Sequence, residues 1–121
     1  MSSGRIETNV SAAALDFHRA LASLQEELEA VDYYGQRAEN AADPELKALL
    51  LHNRAEEIEH AALLTEWLRR QDPGMDKELK QYLFTSGSLT AAEGSATGAV
   101  ESGSPAPSAA AAGLGIGKIK A

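Results

Sequence analysis

Five residues, Asn40-Ala41-Ala42-Asp43-Pro44, separate two long runs of helical periodicity, and that arrangement leaves the chain little choice of fold. Upstream, Ala14, Phe17, Leu21, Leu24, Leu28 and Val31 recur at spacings of three and four. Downstream, Leu46, Leu50, Asn53, Glu57, His60, Leu64 and Trp67 do the same. Such spacing is the inward stripe of a packed helix. Ser11 is a natural N-cap for the first helix, and Asp43 followed by Pro44 opens the second. The pattern predicts helices from about Ser11 to Ala38 and from Asp43 to about Arg70. Arg69 and Arg70 suit the negative end of the second, and Asp72-Pro73-Gly74 is read as its stop. Leu79, Tyr82 and Leu83 mark a short third helix over about Asp76 to Leu83. Two long helices with a short turn make an antiparallel hairpin, so the fold class is all-α. Gly35 continues the first seam and is expected to let a partner backbone approach closely.

The second seam is apolar at both ends but polar in the middle, where Glu57 and His60 stand at i and i+3 on one face. A glutamate in an apolar seam costs several kcal/mol unless something neutralises it. A divalent metal does so, and Glu-x-x-His is a recurring metal-holding pattern in helix bundles. The midpoint of Glu27 and Glu57 is residue 42, inside the turn. The hairpin therefore sets both carboxylates at one height, roughly 22 Å from the turn at 1.5 Å per residue, with His60 one turn further on. Two-metal carboxylate bundles take a Glu from each of two helices and a Glu-x-x-His from each of two others. This chain supplies one of each, which is half a site on half a bundle. A single two-fold axis cures both deficits, placing the site between two copies. A further apolar stripe, Leu51, Ala55, Ile58 and Ala62, lies roughly opposite the Glu57–His60 face and suggests a second interface.

At 121 residues the chain has room for one domain, here residues 1–84. The two lysines and two glutamates beyond residue 84 cancel, so the net charge of −7 resides in that domain. An acidic surface argues against nucleic acid and for cations. The absence of Cys excludes disulfides, thiolate sites and iron–sulfur ligation. No apolar leader and no membrane-length run is present, and a soluble intracellular protein is the expectation. Residues 85–113 are almost wholly Gly, Ser, Thr, Ala and Pro and read as a flexible linker, with a mean reach of roughly 30 Å. Residues 114–121 follow, with Leu114, Ile116 and Ile119 beside Lys118 and Lys120. The Gly113, Gly115, Gly117 run imitates a nucleotide loop, but no strand precedes it.

Other residues have plainer readings. Glu26, Glu29 and Asp32 form a solvated acidic face and, secondarily, a weak cation attractor. Tyr33 and Tyr34 are packing residues, although Tyr34, one heptad from Glu27, can donate a hydrogen bond to a ligand carboxylate. His18 and His52 lie off the seam.

Glu26-Glu27-Leu28-Glu29-Ala30-Val31-Asp32-Tyr33-Tyr34, Asp43-Pro44-Glu45-Leu46, His52-Asn53-Arg54 through His60, and Glu66-Trp67-Leu68-Arg69-Arg70 resemble the encapsulated ferritins. The last residues, Leu114 to Lys120, resemble the peptide that docks cargo inside encapsulin shells. The resemblance implies a hairpin dimerising into a ferritin-like four-helix bundle, within a ring of dimers that is commonly a decamer. It implies a ferroxidase that oxidises Fe(II) at a di-iron site between subunits, for iron mineralisation and storage in an encapsulin nanocompartment of the bacterial cytoplasm. Glu27, Glu57 and His60 take the ligand role by that resemblance, and Glu26 and Glu29 peripheral metal attraction; Tyr34 joins the catalytic set by its position one heptad from Glu27. Family members often have Trp then Tyr where this chain has Tyr33 then Tyr34. Two rival classes stand beside it: a metal-binding or di-manganese bundle without turnover, and a structural shell adaptor whose polar seam sets register.

Overall fold

The computed structural model describes residues 7–94, and within them the chain is wholly helical. Helix α1 spans Ala12–Asn40 and helix α2 spans Pro44–Gln71. The Ser11 hydroxyl accepts the Ala14 N–H at 3.1 Å, and the Asp43 carboxylate accepts the Leu46 N–H at 2.8 Å. Both caps thus occupy an orphan donor of the first helical turn. The antiparallel hairpin expected from the turn is what forms.

The chain divides after Gln71 into two compact units. In the second, α3 spans Pro73–Tyr82 and α4 spans Leu89–Gly94. Asp72-Pro73 was expected only to stop α2, but it also starts α3: the Asp72 carboxylate accepts the Met75 N–H at 2.8 Å, with Pro73 at the first helical position. Within the stretch expected as linker, Ser88 caps α4 in the same way, accepting the Ala91 N–H at 3.2 Å. The rest of that stretch, from residue 95, and the peptide at 114–121 lie outside the described residues.

In the hairpin unit, the line of contact is narrower than the sequence seams. Ala20, Ala38, Ala61 and Leu68 are the buried apolar residues among those described. Leu21 and Leu28 of the first seam remain 38% and 55% exposed, and Leu46 and Trp67 of the second are exposed as well. The physical reason is size. Three alanines let the helix backbones approach closely, and the long side chains must then lie to either side of the contact rather than within it. Glu27 sits on this line at one heptad from Ala20 and is half-buried. The two seams consequently open on opposite faces. At about 100° per residue, Arg54 stands about 60° to one side of Glu57 and His60 about 60° to the other. Leu21, Leu28, Gly35 and Leu51 fall on the Arg54 side; Tyr34, Leu46, Asn53 and Trp67 fall on the His60 side.

Candidate metal centre

Each donor is held by its helix at a height the turn dictates. On α1, Glu27 occupies the contact line; on α2, Glu57 precedes Ala61 by four residues and His60 follows Glu57 by three. Because Ala20, Ala38 and Ala61 keep the helices close, a glutamate from each can reach the other. One donor atom from each of Glu27, Glu57 and His60 lies within 4.8 Å of the others. The His60 Nδ1 stands 3.2 Å from a Glu57 carboxylate oxygen and 3.4 Å from one of Glu27. The two carboxylates are largely covered, with side-chain exposures of 24% and 22%, while the His60 side chain is 45% exposed. The cluster is therefore set into the hairpin but open on the His60 face.

The three groups hold one another's protons. The hydrogen bond to Glu57, and then burial, hold the Glu27 carboxyl above the usual carboxylate range. The same bond holds Glu57 below it. The opposite directions are those of two carboxylates that interact strongly and titrate as a pair. The His60 imidazole is pushed up, first by its hydrogen bond to Glu57 and further by Glu27, against some desolvation. A cation entering here competes with protons for these donors. Two carboxylates and one imidazole suit Fe(II), Mn(II) or Zn(II), and with no Cys in the chain no thiolate competes.

The other residues picked out by sequence lie outside this cluster. Glu26 is exposed and Glu29 half-buried. Asp32 accepts a hydrogen bond from the Gln36 amide at 2.7 Å. The guanidinium of Arg37 stands 5.4 Å from the Tyr33 ring centroid and 5.9 Å from that of Tyr34, so both tyrosines engage a cation on their own helix. His18 is half-buried, and His52 lies on the exposed surface of α2, 3.9 Å from Glu56. Gly35 is covered by a side chain rather than by the backbone that was expected: a Cβ there would stand 3.3 Å from the Arg54 Nε. Sequence reasoning gave Arg54 no role. Its signal was a cation between Leu51 and Ile58 on one stripe of α2.

A two-helix hairpin that presents one Glu and one Glu-x-x-His at matched heights is the half-unit of the ferritin-like helical proteins. The comparisons with known proteins agree with that class. A family model described as EncFtn-like matches residues 4–86. An "Encapsulated ferritin-like protein" of Rhodospirillum rubrum is 51% identical over 107 residues, covering 85% of this chain and 76% of its own. A "Ferritin-like protein" of Thermotoga maritima is 51% identical over 86 residues, covering 71% of this chain and 75% of its own. The crystal structure of a Nitrosomonas europaea protein superposes with a TM-score of 0.69 at 57% identity, over 71% of this chain and 97% of that one. This chain belongs to the EncFtn-like family of encapsulated ferritin-like proteins.

Proposed function

We propose that the protein is a ferroxidase whose substrate, Fe(II), is bound in pairs between two copies of the chain and oxidised there. The observation that carries this reading is the convergence of Glu27, Glu57 and His60 on an open face. Three donors cannot fill the coordination sphere of an iron ion, let alone of two. A second copy related by a two-fold axis doubles the set to four carboxylates and two imidazoles. In that arrangement Glu57 of each copy bridges the two ions, and Glu27 and His60 hold one ion each.

The chemistry follows from the donors. Carboxylate oxygens favour Fe(III) over Fe(II), so the site lowers the cost of removing an electron. Two Fe(II) ions give up one electron each, and O₂ takes the two electrons and two protons to become hydrogen peroxide. Fe(II) competes with protons for Glu27 and His60, so protons displaced on binding are released close to where the peroxide takes them up. Tyr34 lies one heptad from Glu27 on the same face and supports the ligand carboxylates by hydrogen bonding. Glu26 and Glu29, on the acidic outer surface of α1, raise the local concentration of cations.

A hairpin encloses no storage cavity, so the oxidised iron must be delivered elsewhere. The R. rubrum relative is named as encapsulated. In this chain the segment 114–120 is the element for docking to an encapsulin shell in the bacterial cytoplasm, with Leu114, Ile116 and Ile119 as apolar anchors. Each buried aliphatic side chain contributes about 1.5–3 kcal/mol before ordering costs. One tail binds weakly and a ring of subunits binds well by multivalency.

Two measurements test the reading. On aerobic addition of Fe(II), followed by absorbance of the ferric product, Glu57→Ala and His60→Ala are expected to lose oxidation about 100-fold or more while far-UV circular dichroism is kept. Wild-type rates in both would refute the assignment. Stoichiometric metal uptake with no oxidation by the unmodified protein would instead favour a metal-binding or di-manganese bundle without turnover. On co-expression with an encapsulin shell, deletion of residues 114–121 is expected to abolish packaging and to leave Fe(II) oxidation in solution unchanged.

A further inference from the structure

The end of α3 and the start of α4 leave three large apolar side chains uncovered within a short stretch. Leu83 is 47% exposed, Phe84 60% and Leu89 65%. Phe84 has a backbone φ of 63°, in the left-handed region that closes helices and usually takes glycine. Two hydrogen bonds brace the chain there: the Leu83 N–H donates to the Leu79 carbonyl at 2.9 Å, and the Thr85 hydroxyl to the Tyr82 carbonyl at 2.7 Å. A bulky ring thus stands in a costly backbone conformation and is left mostly in water, so packing within the described residues does not account for it. Acidic groups lie nearby. The Tyr82 hydroxyl is held above its ordinary pKa, first by burial and then by the charges of Glu93 and Glu78, so α3 and α4 bring both carboxylates into the neighbourhood of one hydroxyl. Asp72 and Asp76 are already engaged, the first as the cap of α3 and the second with Lys80 at 3.1 Å. Among the described residues, no hydrogen bond or ion pair engages Glu78 or Glu93.

We propose that this patch is a docking site for residues 114–120 of the same chain, occupied when no outside partner holds them. Leu114, Ile116 and Ile119 cover Leu83, Phe84 and Leu89, and Lys118 and Lys120 face Glu78 and Glu93. Chain length is the first argument. Residues 95–113 tie the peptide to the end of α4 and carry one charged residue, Glu101. A small-residue tether of that length has a mean end-to-end distance of roughly 25 Å. The patch lies at the fixed end of the tether, where the peptide is present on the order of millimolar. Three aliphatic anchors that would hold a free peptide only weakly can hold a tethered one. Charge is the second argument. In a chain of net charge −7, the peptide has two lysines and no acidic side chain, so unpaired carboxylates attract it. The inference draws on the packaging reading in one respect: the anchors are the same three residues, so a docked tail hides them and a shell has to compete for them. A tail docked about nine-tenths of the time binds any outside partner about tenfold more weakly. Docking itself stands whether or not a shell is the partner.

The test is trypsin cleavage of the full chain, followed by intact mass. Lys118 and Lys120 are the only lysines or arginines after Lys80, so loss of the last residues reports on the peptide alone. A synthetic peptide of residues 109–121 sets the free rate. Cleavage of the full chain at Lys118 is expected to be about tenfold slower than in that peptide, at every protein concentration. Phe84→Gly removes the ring and supplies the residue that a left-handed position prefers, so α3 keeps its end, and circular dichroism checks that it does. This variant is expected to be cleaved at the free rate. Glu78→Gln combined with Glu93→Gln is expected to lose part of the protection, about threefold. Cleavage of the unmodified chain at the free rate would overturn the proposal, as would protection that survives Phe84→Gly. Protection that fell on dilution would place the peptide on a second copy and would overturn it too. Neither shell nor iron is present, so the result is independent of the oxidation and packaging experiments.

Discussion

On one side of the Ala20–Ala38 contact line the hairpin sets Glu27 and Glu57 against a single imidazole; on the other it sets Asp32 and Glu39 against Lys47 and Arg54. The helices, the turn and the apolar borders are common to both sides. What differs is how the charge is balanced. The His60 face has an excess of carboxylate that a cation can offset. The Arg54 face is balanced by side chains alone. A surface of the first kind responds to metal and pH, and one of the second kind responds to salt. Two faces of one small unit can thereby be regulated separately.

The largest expected effect separates the two faces directly. Removing divalent metal with a chelator is expected to separate copies paired at the His60 face, read as a fall in mass by light scattering. About 1 M salt should leave them paired, because screening within about 3 Å weakens side-chain charges like those of the Arg54 face and not metal–ligand bonds. Trp67, the only tryptophan of the chain, lies on the His60 face and is 38% exposed. Its emission should shift to the blue when metal is added and should not respond when Arg54 is changed. The metal-dependent step should also weaken as pH falls. Glu27 and His60 both keep their protons to higher pH than usual, so a cation competes with bound protons below the raised imidazole pKa. Titration with Co(II) in weakly buffered solution should release protons on binding. Binding without proton release would show that the free site holds no proton at that pH.

A smaller effect is expected at Gly35. An added Cβ would meet the Arg54 Nε at 3.3 Å, so the guanidinium must move by a few tenths of an ångström. Alanine in place of glycine inside a helix stabilises it by about 1 kcal/mol. Gly35→Ala should therefore raise the thermal midpoint of the protomer and leave metal uptake at the His60 face unchanged. A midpoint that fell would show that the Arg54 stem has no room to move.

The smallest effect is a control that belongs to neither face. Glu66 accepts hydrogen bonds from Arg69 at 2.8 Å and from Arg70 at 2.7 Å, and these hold its carboxyl down to about 2. Because the folded value lies below the ordinary carboxylate value, its stabilising contribution is present above pH 4.5 and is lost as pH falls towards 2. Carboxyl chemical shifts followed by NMR should show Glu66 still ionised at pH 3.5. Glu66→Gln should leave both metal uptake and pairing at the His60 face unchanged.

Much of this was legible in the chain itself. Asp43-Pro44 between two periodic runs dictates a hairpin, and equal offsets from residue 42 bring Glu27 and Glu57 together whatever the packing details. The side on which each leucine lies was not legible. Spacing reports which residues share a stripe but not where the neighbouring helix rests on that stripe, and alanines at the contact moved it to the edge of both seams. Arg54 was missed for the same reason: until the contact line is known, a cation among aliphatic residues reads as solvated surface. Asp72-Pro73 was legible only in part, since the same two residues end one helix and begin the next.

The narrowness of the alanine contact has a consequence for the turnover of the protein in a cell. With only Ala20, Ala38, Ala61 and Leu68 buried among the described residues, a hairpin that has not met its copies has little to hold it closed. Local opening then exposes backbone that proteases cut, and the rate of loss follows the open population. Association lowers that population by mass action. With the proposed pairing of copies, unassembled subunits are expected to be the short-lived ones, and degradation to trim the supply to what the assembly can take up.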